Sequence, residues 1–200
     1  DVCDLSCVTI TNNSSPLAGM TWLWDFGDGT TSTLQDPPCH EYDSCGEYTI
    51  RLILFDPITG CNDTTQETVT VWCLPNRSFT YNVVCEGDST CFTNLSTPGN
   101  NPSGGLWQYM WTFPPGSSPA TSSLEHPCVI INGCGFPQVS LLVIDSNLCG
   151  TTGPQNIQVW CQSTALFDAP PICFDDQPMI FSDQSTNGTG TINQWNWDFG

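Results

Sequence analysis

Trp22-Leu23-Trp24-Asp25-Phe26-Gly27-Asp28-Gly29 is the stretch on which the fold turns. Its large aromatics fall at every second residue, and the spacing returns at Trp107, Tyr109, Trp111 and Phe113, then at Trp195, Trp197 and Phe199. A period of two places these side chains on one face of an extended strand, so each stretch predicts a strand with one face in a core. Gly27 and Gly29 supply the positive φ that a sharp turn needs, so the first strand ends there.

The cysteines give the period of the repeat. Cys39, Cys45, Cys61 and Cys73 return 88 or 89 residues later as Cys128, Cys134, Cys149 and Cys161. Cys85 returns as Cys173, 88 residues on, whereas Cys3 precedes Cys85 by 82. A period of this kind outranks chain length as a guide to organisation. It divides the chain at 1–74, 75–162 and 163–200. The first unit lacks a counterpart of the strand at Ser78–Val84, and the third holds only the opening strands of a further unit.

Short alternating runs, at Val8–Thr11, Tyr48–Leu54 and Thr68–Trp72, are separated by Gly, Pro and Asn loops. Val139, Leu141 and Val143 repeat the central run, and Asn156–Trp160 repeats the last. Thr30–Thr33 suits a short edge strand. No segment has useful helical periodicity, so the fold class is all-β: tandem sandwiches of about 88 residues, held by disulfides.

The chain has a formal net charge of −18 and two basic residues, Arg51 and Arg77. Nothing here neutralises phosphates, which excludes nucleic acid as a partner. An anionic membrane surface is disfavoured for the same reason, and no stretch is long enough for a membrane-spanning helix. Six cysteines in each full unit read as disulfides in an oxidising compartment. Zinc is the weaker reading, since there is no C-x-x-C pair and only His40 and His126 offer imidazoles.

Trp24-Asp25-Phe26-Gly27-Asp28-Gly29, followed by His40-Glu41-Tyr42 and by Gly46-Glu47-Tyr48-Thr49-Ile50, resembles the PKD domain, a family with an immunoglobulin-like sandwich. The second unit resembles a diverged copy. It has Thr112 and Pro114-Pro115 for the acid and glycine, Cys128-Val129-Ile130 for the H-x-Y strand and Pro137 for the strand tyrosine. The resemblance implies structural roles for Trp24, Phe26, Gly27, Gly29, Trp111, Phe113, Trp197 and Phe199. Its topology also implies the pairings Cys3–Cys7, Cys39–Cys61, Cys45–Cys73, Cys85–Cys91, Cys128–Cys149 and Cys134–Cys161, with Cys173 bonded beyond Gly200. The Cys-rich repeat is also similar in style to the repetitive regions of the giant gliding adhesins on Bacteroidota cells.

Asp25 and Asp28 are the carboxylates to weigh for chemistry. Acid–base catalysis needs a cleft, and the second unit lacks both acids, so no enzyme is expected. No serine or threonine has a histidine in a triad setting. Calcium suits the same two acids better, with Asp36 and Asp43 as further oxygen donors, although no known loop spacing supports it. Capping of turn amides is the plainer role for Asp25 and Asp28. Otherwise no cofactor is expected. Asn12, Asn13, Asn62, Asn76, Asn94 and Asn187 each open an N-x-Ser/Thr triplet, while Thr64 and Ser89 lie in Asp-Ser/Thr motifs, so these are the candidate glycosylation sites.

Trp72 and Trp160 sit beside the short joints after Cys73 and Cys161. Two roles stand open for them: sheet packing, or an inter-domain contact that stiffens the array. The expected function is a stalk or filament segment of a secreted or cell-surface protein. Its partners would be neighbouring repeats, with surface polysaccharide or other surface proteins as further candidates. The alternative is an accessory binding module of a secreted hydrolase.

Overall fold

The computed structural model describes residues 2–4, 6–15, 19–99, 107–169, 171 and 178–200. The first repeat supplies β1 (Val2–Cys3), β2 (Cys7–Val8), β3 (Thr21–Asp25), β4 (Thr31–Ser32), β5 (His40–Glu41), β6 (Gly46–Phe55) and β7 (Asn62–Trp72). The second supplies β8 (Phe79–Tyr81), β9 (Ser89–Asn94), β10 (Gln108–Thr112), β11 (Thr121–Ser122), β12 (Cys128–Ile130), β13 (Gln138–Ile144) and β14 (Gly150–Asn156). In the third stretch β15 (Phe167–Asp168) pairs with β16 (Ser182–Asp183). The fold is all-β and immunoglobulin-like. No helix among the described residues is long and apolar enough to cross a membrane.

In the first repeat one sheet runs in the order β1-β7-β6-β3-β4, and β2 pairs with β5 in the other. Strand β3 lies antiparallel to β6, with Trp24 opposite Leu52 and Asp25 opposite Arg51. The core draws on both sheets: Val8 and Tyr42 from one side, Trp24, Phe26, Leu52 and Val71 from the other. That is the physical content of a sandwich, in which each strand hides alternate side chains. The strand expected at Val8–Thr11 pairs only through Cys7 and Val8, against Glu41 and His40. By contrast β7 begins at Asn62, earlier than the apolar run at Thr68, because its polar half pairs with β6 without being buried.

The second repeat has the sheets β11-β10-β13-β14 and β12-β9-β8. Phe79, Phe92, Trp111 and Phe113 meet ring to ring, with Phe92 5.3 Å from Trp111 and 5.5 Å from Phe113. Trp111, Val139 and Leu141 are fully buried. In the third stretch the corresponding rings, Phe167, Phe181, Trp197 and Phe199, also touch one another but remain exposed.

Two compact units emerge. The first comprises Asp1–Ser78, Ser96–Gln108 and Leu142–Thr151, and the second Phe79–Leu95, Tyr109–Leu141 and Thr152–Gly200. Three contacts explain why the first takes in segments from later in the chain. The Thr151 hydroxyl donates to the Pro75 carbonyl at 2.8 Å. Asn76 and Thr97 form a two-bond antiparallel bridge. A disulfide joins Cys3 to Cys149, 146 residues apart.

The remaining bridges are Cys7–Cys39, Cys45–Cys73, Cys91–Cys128 and Cys134–Cys161. Cys45–Cys73 and Cys134–Cys161 are the pairs expected from the topology. The others correct the expectation. Cys3–Cys7 and Cys85–Cys91 do not form, because the strand that carries Cys3 runs parallel to β7, with Cys3 opposite Trp72, and not beside β2. Cys85 makes the same parallel bridge to Trp160. Cys39–Cys61 and Cys128–Cys149 give way to cross-strand bonds: Cys91 faces Cys128 in the β9–β12 register, and Cys7 bonds to Cys39 beside β5. Cys61 and Cys85 are free thiols among the described residues. Cys173 lies outside the described residues.

Candidate functional site

The turn after β3 assembles most of the singled-out residues of the first repeat. Gly27 has φ +83°, and a Cβ there would stand 2.7 Å from the Thr49 carbonyl oxygen, so only glycine fits against β6. Gly29 has φ +92° with open space around it. Asp25 Oδ1 accepts from the Gly27 N–H at 3.1 Å, and Asp28 Oδ1 accepts from the Thr30 N–H at 2.9 Å and its hydroxyl at 2.6 Å. These are carboxylates capping the turn's own amides. The Arg51 guanidinium stands 3.6 Å from Asp25 across the β3–β6 pair.

His40 joins the turn to the core. Its Nε2 meets Asp28 Oδ2 at 2.7 Å, and its ring stacks on Phe26 with centroids 4.1 Å apart. Tyr42 packs edge-on to His40 and stacks on Tyr48, and its hydroxyl donates to the Phe26 carbonyl at 2.9 Å. Burial raises the Asp28 carboxyl, but hydrogen bonds from Thr30 and His40 outweigh it and hold it at about 2. Burial, then the charge of Asp28, then Tyr48, pushes the Tyr42 hydroxyl up to about 12. These hydrogen bonds close the turn and tie strands together. The geometry provides structural hydrogen bonding.

The same contacts occupy the two acids weighed for calcium, Asp25 and Asp28. Their oxygens are engaged with turn amides, Thr30, His40 and Arg51, and Asp36 and Asp43 do not complete a cluster. Among the described residues no group of three or more His, Cys, Asp or Glu side chains is placed to hold a metal ion.

The second repeat keeps the scaffold and loses the acids. The Trp111 indole donates to the Leu124 carbonyl at 2.9 Å, as the Trp24 indole donates to Leu34 at 3.1 Å. Asn132 Nδ2 donates to the Gly116 carbonyl at 2.7 Å. His126, with no role assigned from sequence, accepts from the Asn94 N–H at 3.1 Å.

At the joints, Trp72 is half-buried and Trp160 is 41% exposed. Both roles weighed for these two residues, sheet packing and an inter-domain contact, stay as expectations. Two glycines that sequence reading passed over do sit at the joints. A side chain on Gly99 would fall on the Cys73 carbonyl, and one on Gly188 would fall on the Cys161 carbonyl. They lie 89 residues apart, so the repeat offset was the signal that marked them.

Of the glycosylation candidates, Asn13, Asn62, Thr64, Asn76, Ser89 and Asn187 are exposed. Asn94 is only 9% exposed. The Asn12 side-chain nitrogen donates to the Gln35 carbonyl at 2.7 Å, and its oxygen accepts from Ser14, so its amide is already engaged.

Comparisons with known proteins find similarity over parts of the chain. A microbial collagenase of Vibrio alginolyticus is 49% identical over 49 residues, covering 24% of this chain and 6% of the collagenase. The PKD1 domain of the Vibrio cholerae metalloprotease PrtV shares 30% identity, covers 43% of this chain and 96% of that domain, and has a TM-score of 0.35. An amphioxus IgVJ-C2 molecule shares 14% identity over 75% of this chain and 94% of its own, with a TM-score of 0.32. Residues 4–72 match the PKD domain family. With its WDFGDG turn, H-x-Y strand and G-x-Y strand all in structural roles, the first repeat is a PKD domain.

Proposed function

We propose that this chain is a non-catalytic spacer: a run of PKD-type repeats, divided near residues 75 and 163, in an extracellular stalk or filament resembling those of large surface adhesins. The observation that carries this reading is the Cys3–Cys149 bond, which ties the opening strand of the first repeat to a hairpin turn of the second. A spacer must transmit force and hold its length, and a bond that closes 146 residues into one ring keeps them from being drawn out. Cell-surface polysaccharide and other surface proteins are the partners this reading expects, with glycans on the exposed Asn, Thr and Ser sites.

Single-molecule pulling between the termini tests it. Reduction should lengthen the fully extended chain by on the order of 500 Å, the reach of the residues the ring encloses at about 3.4 Å each. Equal extension of the oxidised and reduced chains would refute mechanical locking.

A second reading is favoured by the collagenase match: an accessory module beside a secreted hydrolase. Specific capture of the oxidised chain by insoluble collagen would support that role over the spacer.

A further inference from the structure

The two free thiols are copies of the two ends of an existing bond. Cys3 lies opposite Trp72 on a strand parallel to β7, and the next amide, Asp4 N–H, donates to the Trp72 carbonyl at 2.7 Å. Cys85 forms the same parallel bridge with Trp160, and the Glu86 N–H donates to the Trp160 carbonyl at 2.9 Å. At the other end, the Asp145 N–H donates to the Cys149 carbonyl at 2.9 Å, and the Asn147 N–H to Asp145 Oδ1 at 2.9 Å. The turn at Cys61 repeats this, with Asp56 N–H on the Cys61 carbonyl at 2.8 Å and Ile58 N–H on Asp56 Oδ1 at 2.9 Å. Leu148 and Gly60 both hold positive φ, +64° and +75°.

We propose that Cys85 and Cys61 are joint-stapling cysteines whose partners belong to further repeats of the same kind. Cys85 bonds the hairpin-turn cysteine of the repeat that follows, and Cys61 bonds the opening-strand cysteine of the repeat that precedes. The bond Cys3–Cys149 is one instance of this rule: opening strand of one repeat, hairpin turn of the next. Exposure agrees with it. Cys149, whose partner is present, is 0% exposed, whereas Cys61 in the matching turn is exposed. The rule makes the disulfides of an array continuous, since every repeat gives one cysteine forward and receives one from behind. It rests on the tandem reading above for its partner, but not on the mechanical role.

Bond formation takes two thiols to one disulfide, releasing two protons and two electrons. The acceptor is a disulfide, small-molecule or carried by an oxidoreductase, which is reduced to two thiols through thiolate exchange.

A longer chain tests the rule directly. Residues 28–74 appended after Gly200 continue Trp197-Asp198-Phe199-Gly200 in register with Trp24-Asp25-Phe26-Gly27, and supply a second copy of Cys61. Cys39→Ser in the appended copy removes an unpaired thiol. Non-reducing peptide mapping should show Cys85 joined to the new copy of Cys61, with the Cys85 thiol lost to alkylation. A freely alkylated Cys85, alongside an oxidised appended Cys45–Cys73 pair, would overturn the proposal while leaving the force-extension test of the spacer untouched. The unextended chain gives a second measurement. Oxidised at high concentration in a glutathione buffer, Cys61→Ser and Cys85→Ser chains that both also carry Cys173→Ser should form a mixed dimer that neither forms alone. Cys61–Cys61 and Cys85–Cys85 adducts as abundant as Cys61–Cys85 in the unsubstituted chain would overturn it too.

Discussion

Cys3 and Cys149 are bonded with their Cα atoms 5.5 Å apart, although 146 residues separate them in the chain. A cross-link of that span removes more freedom from the unfolded chain than a bridge closed within one hairpin, by about 1 kcal/mol, because the cost grows only with the logarithm of loop length. Cys149→Ser is therefore expected to destabilise the first unit by about 3–5 kcal/mol in the chain-entropy view of disulfides. Denaturant unfolding under non-reducing conditions, followed by the fluorescence of Trp22 and Trp24, reads the change. A midpoint equal to that of the unsubstituted chain would show that the bond constrains nothing.

The two glycines of the WDFGDG turn separate backbone strain from close approach. Gly27→Ala should cost on the order of 2 kcal/mol or more, because positive φ and the Thr49 backbone both oppose a side chain. Gly29→Ala meets strain alone, having nothing within 4 Å, and should cost about 1 kcal/mol. Equal losses in the two variants, measured by thermal unfolding, would contradict the packing described for Gly27.

The hydrogen bonds that Asp28 accepts from Thr30 and His40 give the first repeat an acid limb. The carboxyl lies lower in the folded chain, about 2 against an ordinary 3.8. Its stabilisation is therefore present above pH ~4 and is lost as pH falls toward 2. With the side chain partly open to water, the contribution is roughly 1–2 kcal/mol. Asp28→Asn should lower stability at neutral pH by that amount and flatten the fall below pH ~4. An unchanged acid limb in the variant would place the titrating group elsewhere.

Trp111 and Trp160 should behave as opposites. Trp111 is fully buried among Phe79, Phe92 and Phe113, so Trp111→Ala should cost roughly 3–5 kcal/mol. Trp160 is 41% exposed, and Trp160→Ala should change stability by no more than about 1 kcal/mol. Chemical unfolding of both variants decides it. A large loss at Trp160 would show that its half-exposed ring carries packing that its exposure does not suggest.

The strands were legible in the sequence wherever one face is buried. The aromatics at Trp22, Trp24 and Phe26, and the Val139, Leu141 and Val143 run, show a period of two that no helix would keep. Where both faces are polar the pattern goes silent, as in the Asn62–Glu67 half of β7, which is held by its pairing with β6 and not by burial. The site residues His40 and Tyr42 could be placed by their motif, but their stacking on Phe26 and Tyr48 needed the tertiary fold. Disulfide pairing was the least legible. Cys3 and Cys7 are near in sequence yet sit on strands that join different sheets, and the true partner of Cys3 belongs to another repeat. The departure of Cys3 from the common offset, 82 residues instead of 88, arises mostly after β2, since Cys7 precedes Cys91 by 84 and Cys39 precedes Cys128 by 89.

The most direct test is non-reducing peptide mapping of the intact chain, cleaved at its acidic residues and aromatics since it has only two basic ones. The expected result is a linked peptide pair containing Cys3 and Cys149, with Cys61 and Cys85 recovered as alkylated thiols. Cys3 joined to Cys7, together with Cys149 joined to Cys128, would confine every bridge within a single repeat. That outcome would contradict the covalent joint on which both the spacer and its continuation depend.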